Sequence, residues 1–225
     1  MYMIVVGAGR IGSSFVELAT LDSHDVVVID SDPEIADEIA STYDCLVLNG
    51  DGTDRELLEE AGIERADAVV STTSDDAVNT MLMLLAQEYD VPTLVSAVRD
   101  ADHLPVFEKI GVTVVENPQE LVADSLYYSV QYPGVEDFMR MTDDAEMVEL
   151  EVEADAPVTD RSLSTAVEDG LIPSGARVAA VLRDSAVITP TGETTLSAGD
   201  VVTVLVNEAT MDETLGAFGH EANGA

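Results

Sequence analysis

The sequence is poor in cationic charge: nine Lys plus Arg stand against 45 Asp plus Glu, the net charge is −36, and Lys109 is the sole lysine. A surface so acidic repels phosphate, which excludes nonspecific binding to nucleic acid or to anionic lipid. Cysteine is equally scarce. A lone Cys45 excludes an internal disulfide and fits a reducing compartment. One cysteine and three scattered histidines provide no zinc-ligand spacing, so no metal site is expected. No apolar run reaches the roughly 18 residues of a spanning helix, and glycines at 7, 9 and 12 interrupt any signal-like start. The expectation is a cytoplasmic protein without direct membrane insertion.

Apolar residues, in contrast, are plentiful. They make up 46% of the 225 residues and fall in regular runs, which argues against an acidic disordered chain. The length suits one ordinary domain and a smaller one. Low lysine with high acid is similar to the surfaces of proteins from extreme halophiles, where salt shortens the screening length to about 3 Å at 1 M. The other reading of the same charge is an acidic protein with cationic partners.

Met3 to Val6 is a β-branched run ending at glycine, as expected of a strand buried on both faces. Helical spacing follows at Ile11, Phe15, Leu18 and Ala19. Asp25 to Ile29 reads as a second strand, and "SDPEIADEIAST" as a helix capped by Ser31 or Asp32. The alternation continues with strands at Cys45–Leu48, Ala68–Ser71, Thr93–Val98 and Val112–Val115. Helices fall at Thr53–Ala61, Asp75–Tyr89, His103–Ile110 and Pro118–Tyr132. Val78, Met81, Leu82, Leu85 and Tyr89 form an apolar stripe in which methionine serves as core filler. This order implies an α/β fold, a Rossmann-like doubly wound parallel sheet. Pro133 and Gly134 end the last helix.

Beyond them the texture changes. "EMVELEVEA" alternates like a strand with one wet face, "ARVAAVLRDSAVITPTGE" reads as two strands joined near Asp184 and Ser185, and Ala209–Phe218 as a final helix. The expected organisation is a nucleotide-binding domain over 1–133, a linker over 134–146, a small α+β module over 147–218, and a frayed tail over 219–225.

The chemistry-bearing motif is "VVGAGRIGSS". Gly7, Gly9 and Gly12 form G-x-G-x-x-G between a strand and a helix, with Asp30 near the offset of about 20 residues where an acid meets ribose. Gly7 permits the tight turn, Gly9 lets a diphosphate approach the backbone, and Gly12 allows close helix–sheet packing. The helix end then offers unpaired N–H groups to anionic oxygen. Asp30 accepts from ribose hydroxyls and repels a 2′-phosphate, favouring NAD over NADP. Arg10, at the helix start, either meets the phosphates or pairs with Glu17 or Asp22. In "NGDGTD", Asp51 and Thr53 follow the third strand and can meet the adenine side, although Thr53 or Asp54 also suits a helix cap. In "STTSDDAVN", Ser71 to Thr73, with Thr72 and Thr73 foremost, lie beside the cofactor, and Ser74 suits an N-cap.

These residues resemble the TrkA-type potassium-uptake regulators, whose unit is the RCK (regulator of potassium conductance) domain. The first half resembles TrkA-N through "GAGRIG", Asp30, "GDGTD" and "TTSDDAVN". The second resembles TrkA-C through "PVTDRSLSTA", "GARVAAVLRD" and "ITPTGETTLSAGDVVTVLV". The resemblance implies a regulatory subunit that binds NAD(H) or ATP/ADP, assembles into dimers and higher rings, and gates a separate integral-membrane potassium transporter subunit. It implies nucleotide contacts from Gly7, Gly9, Arg10, Ile11, Asp30, Asp51 and Thr53. It also matches Arg99 in "SAVRDADH" to the arginine that the family carries after its fifth strand. Leu121–Tyr132 and Phe138–Met141 are the expected assembly faces.

The competing class is an NAD-dependent oxidoreductase, which needs a proton-transfer group at the hydride site and a substrate-building domain. His24, His103, His220 and Lys109 lack a supporting motif, and the second module is small for a substrate domain. A binding module is therefore favoured over an enzyme.

Overall fold

The β-branched run at the amino end forms β1 (Tyr2–Val6), whose side chains alternate between two buried faces of a parallel sheet. The computed structural model describes residues 1–142 and 144–221. After β1 come α1 (Arg10–Leu21), β2 (Asp25–Asp30), α2 (Pro33–Thr42), β3 (Leu46–Asn49), α3 (Arg55–Glu60), β4 (Ala68–Ser71) and α4 (Asp76–Glu88). Next are β5 (Thr93–Ala97), α5 (Leu104–Lys109), β6 (Val114–Glu116) and α6 (Pro118–Gln131). The strands pair in parallel in the order β3-β2-β1-β4-β5-β6. Met3, Val5, Val26, Val28 and Val70 pack with Val16, Ala19 and Ile39 on one face. Ile4, Val6, Val27, Ile29 and Val69 pack with Leu58, Leu82, Met83 and Phe107 on the other. This is the doubly wound arrangement, and its order reverses at β1, where the crevice for a ligand opens.

In α4 the expected stripe holds at Leu82 and Leu85, but the buried methionine is Met83, while Met81 is half exposed. Leu82, Met83, Leu85 and Ala86 are the side chains that meet the sheet. The expected helix over His103–Ile110 opens with a 3₁₀ turn, Ala101–His103, before α5.

A second compact unit runs from Leu121 onward, the first ending at Glu120, so α6 starts in one and continues in the other. Its antiparallel sheet contains β7 (Val135–Arg140), β8 (Ala145–Glu151), β9 (Arg177–Arg183), β10 (Ala186–Ile188) and β11 (Val201–Asn207), in the order β10-β9-β11-β8-β7. Two helices, α7 (Leu163–Glu168) and α8 (Met211–Ala217), complete it. Val148, Leu150, Val202, Val204 and Val206 face Leu163, Ala166, Leu215 and Phe218 in one core. Asp184 and Ser185 both have positive φ (50° and 64°), the conformation that closes a two-residue hairpin between β9 and β10.

The segment expected as a linker is instead largely β7, paired with β8 from Val135↔Leu150 to Arg140↔Glu146. Phe138 explains the difference. Its ring stacks on Tyr128 with centroids 3.5 Å apart, and together with Val135 it packs on the core of this unit. The acidic residues between them point to water and disguise the strand as a linker. The tail expected to fray is ordered through His220, whose backbone N–H donates to Leu215 O at 2.9 Å and whose Nε2 lies 2.6 Å from Glu151 O; 222–225 lie outside the described residues.

Candidate nucleotide-binding site

A cleft of about 780 Å³ opens at the carboxyl edge of the parallel sheet. Gly7 leaves β1 with φ +87°, and a Cβ there would lie 2.9 Å from Thr73 N, so both conformation and space call for glycine. Gly9 is the N-cap of α1 and contributes no side-chain cap; open space lies where its Cβ would be. The first turn of α1 carries no acidic residue, so its unpaired N–H groups face the cleft uncompensated. A Cβ on Gly12 would run into Gly7 O and approach Thr72 Oγ1 to 2.6 Å, and the absence of that Cβ lets α1 pack against the glycine turn.

Asp30 ends β2 and is 8% exposed. Its Oδ2 accepts the Ala8 N–H at 2.6 Å and its Oδ1 accepts the Asp32 N–H at 2.8 Å. The acid therefore fixes the glycine turn from behind and keeps further lone pairs for a hydroxyl donor. Asp51 accepts both the backbone N–H and the hydroxyl of Thr53, each at 2.8 Å, and these bonds, the backbone one first, hold its carboxyl below the usual range. Across the cleft, Thr72 Oγ1 donates to Gly7 O. Behind it the fully buried Asn79 accepts from Ser71 Oγ at 2.5 Å and Thr73 Oγ1 at 2.6 Å, and donates to Ala97 O at 3.0 Å. One amide thus ties the ends of β4 and β5 together.

Of the residues expected from the sequence, Gly7, Gly9, Arg10, Ile11, Asp30, Asp51, Thr72, Thr73 and Arg99 line this cleft. Gly12 and Thr53 lie behind the lining, the first under the glycine turn and the second bonded to Asp51. Ser71 is buried beneath it. The cap of α4 is Asp75, which accepts from Ala77 N at 2.8 Å, where Ser74 was expected. The lining also includes Ser31, Asp32, Ile35, Ala97, Pro118 and Gln119. Ser31, Asp32 and Ala97 follow from the general rule that strand carboxyl ends carry ligands; nothing local marks Pro118 and Gln119.

Arg10 and Arg99 make no ion pair with a carboxylate among the described residues, whereas Arg55, Arg140, Arg161 and Arg183 do. They are the cationic side chains of a lining that also carries Asp30, Asp32, Asp51 and Asp75, so an anionic ligand meets positive charge locally at these two positions. Neither Glu17 nor Asp22 takes Arg10, the alternative that the sequence left open.

Among the described residues the lining contains no histidine, cysteine, lysine or tyrosine. His24 and Cys45 border a separate pocket of about 600 Å³ at the amino edge of the sheet, where burial first and Asp44 second push the Cys45 thiol up. His103 bonds Asp76, and His220 bonds Glu151 O in the second unit. Among the described residues no group of three or more His, Cys, Asp or Glu is arranged to hold a metal ion. No described helix is long and apolar enough to cross a membrane.

A glycine turn at the switch point of a doubly wound sheet, followed by a helix end and an acid on the next strand, defines a Rossmann-type domain. The TrkA-N domain family matches residues 3–118 and the TrkA-C domain family residues 147–219. The Trk system potassium uptake protein TrkA homolog of Methanothermobacter thermautotrophicus is 31% identical over 97% of this chain and 99% of its own length. The homolog of Pyrococcus abyssi is 28% identical over 94% and 95%. The structure of the GsuK channel bound to NAD superposes over 100% of this chain with a TM-score of 0.69 at 17% identity, and the chain spans 40% of that channel's length. The chain belongs to the TrkA family, with a TrkA-N domain followed by a TrkA-C domain.

Proposed function

We propose that this chain is a cytoplasmic nucleotide-sensing regulatory subunit of a Trk-type potassium transport system, binding NAD(H) or ATP/ADP and gating a separate integral-membrane subunit. The observation that carries the reading is the cleft itself: Arg10 without a carboxylate partner, beside an uncompensated helix amino end, on a chain of net charge −36. The membership in the TrkA family and the NAD named for the GsuK channel support the same ligand class. Nucleotide contacts come from Gly7, Gly9, Arg10, Ile11, Asp30, Asp51, Thr72, Thr73 and Arg99, with Gly12 and Thr53 supporting them.

Gating requires that the ligand bind two shapes of an assembly with different affinity. Self-association is supported by α6, which buries no residue within the chain and leaves Leu121, Val122, Leu126, Tyr127 and Val130 exposed. An oxidoreductase with the same glycine turn remains the competing class; among the described residues the cleft lining offers it aspartates, of which Asp30 and Asp51 already accept hydrogen bonds from the chain, and no histidine, lysine, cysteine or tyrosine.

Calorimetric titration with NAD, NADH, ATP and ADP tests the reading. Saturable binding of at least one supports it, and no binding by any of the four overturns it. Steady NADH oxidation with a metabolite substrate would move the protein to the oxidoreductase class.

A further inference from the structure

The strand order sets stations along the cleft. Asp51 follows β3, Asp30 ends β2, the glycine turn follows β1, Thr72 and Thr73 follow β4, and Arg99 follows β5. Neighbouring strands lie about 4.8 Å apart, which puts Arg99 roughly 10 Å beyond the glycine turn and roughly 14 Å beyond Asp30. A mononucleotide with its ribose at Asp30 and its phosphate at α1 fills only the near stations. A ligand that continues past the glycine turn, through a second nucleoside or a terminal phosphate, reaches Arg99.

Arg99 is held from a point outside the cleft lining. Its backbone N–H donates to Asp76 Oδ1 at 2.9 Å, and the next, from Asp100, donates to Asp76 Oδ2 at 3.1 Å. His103 Nδ1 bonds the same Oδ2 at 2.8 Å. The Asp76 side chain, on the first residue of α4, is 9% exposed, while that of His103 is half exposed. With the turn anchored so, Arg99 Nη1 donates to Ser74 O at 3.2 Å on the cleft wall.

We propose that Asp76 and His103 are positioning residues that fix Arg99 at the far station, for the part of a nucleotide lying beyond the glycine turn. The proposal rests on the nucleotide-binding reading above and deepens it, because it makes the far half of the cleft selective for long ligands. The bonds to Asp76 are charge-assisted and need the carboxylate form. Burial raises the Asp76 carboxyl, but the hydrogen bonds from His103, Asp100 and Arg99 outweigh it and the net direction is down. His103 is raised, first by its bond to Asp76; Asp76 on α4 faces it, as do Asp100 and Asp102 on its own turn. Its proton is lost as pH rises through that elevated value, which weakens the clamp.

The test compares ATP with AMP on the full chain by calorimetry, in the unmodified protein and in Asp76→Asn, His103→Ala, Arg99→Ala and the Asp76→Asn/Arg99→Ala pair. The expected result is an ATP affinity about fivefold to tenfold lower in each single variant, with AMP unchanged, and a double variant no weaker than Arg99→Ala alone. The affinity for NAD, whose diphosphate does not titrate near neutrality, falls as pH rises in the unmodified protein and stays flat in His103→Ala. Equal loss of AMP and ATP, multiplying losses in the double variant, or an unaltered pH profile in His103→Ala overturns the proposal while nucleotide binding stands. Failure of the unmodified chain to bind ATP and NAD overturns the proposal, and failure to bind ADP and NADH as well overturns the nucleotide reading with it. The half-exposed His103 keeps the test decisive if Asp76→Asn does not fold.

Discussion

Asp30 Oδ2 accepts the Ala8 N–H at 2.6 Å, so the acid that ends β2 holds the middle of the glycine turn that follows β1. The carboxylate serves structure and ligand at once. Asp30→Ala leaves the N–H groups of Ala8 and Asp32 without this acceptor. Loss of such a bond costs about 1–3 kcal/mol. Urea unfolding of Asp30→Ala should show that destabilisation, and titration should show loss of nucleotide binding. A variant as stable as the parent would remove Asp30 from the support of the turn.

Gly12 and Thr72 make the second closure of the cleft. The Cβ of Gly12→Ala would press on the carbonyl of Gly7 and on Thr72 Oγ1, which itself donates to that carbonyl. Backbone has little room to yield, so the expected cost is about 1–3 kcal/mol. Gly9→Ala, with open space on that side, should fold normally and fail at the ligand instead. Paired melting curves and titrations separate the two glycines.

The glycine turn, Arg10 and Asp30 are legible in the sequence because their geometry is local: a strand end, a tight turn and a helix start within one short stretch. Asp76 and Asn79 are not legible in that way. Asn79 has near partners in Ser71 and Thr73, but its bond to Ala97 and those of Asp76 with Arg99, Asp100 and His103 span 18 to 27 residues along the chain and are set by strand pairing. The strand β7 is hidden for a related reason: Val135 and Phe138 turn inward across a register irregularity, so simple alternation is broken. Exposure of Met81 in place of Met83 likewise depends on how α4 is seated on the sheet.

In the second unit, Arg183 grips Asp200 through Nε at 2.7 Å and Nη2 at 2.6 Å, and the Ser197 N–H adds a bond at 2.8 Å. The Arg183 bond first, and the Ser197 bond after it, hold the Asp200 carboxyl below its usual value against the effect of burial. A depressed folded-state value stabilises above the unfolded aspartate range and is lost as pH falls through the folded value. Thermal unfolding of this unit should therefore decline with acidification below about pH 4. Asp200→Asn should lower the midpoint at neutral pH by about 4–8 °C and flatten the acid limb. An unchanged acid limb would show that another group controls it.

With 45 acids against nine bases, like-charge repulsion opposes folding at low salt. The exposed pair Arg55–Glu88 contributes little against it. Screening at 1 M salt, where the Debye length is about 3 Å, removes most of that repulsion. The melting temperature should rise steeply between 0.1 and 1 M KCl, a range set by the screening length, and level off above it. A flat or falling curve would mean that the acidic surface is already compensated in dilute salt.

Arg10 separates a ligand role from a structural one by sign. It stands at the first position of α1, where the helix dipole is positive and a cation is disfavoured by about 0.3–1 kcal/mol. No carboxylate among the described residues relieves it through an ion pair. Arg10→Ala should therefore make the free protein slightly more stable. The same change should weaken ATP about tenfold, the worth of one charge-assisted phosphate contact, and leave adenosine unchanged. Melting without ligand and calorimetry at fixed ionic strength measure the two effects independently. A structural arginine would lower stability and leave ATP and adenosine equally affected, whereas a residue kept for a phosphate gives the opposite pair of signs.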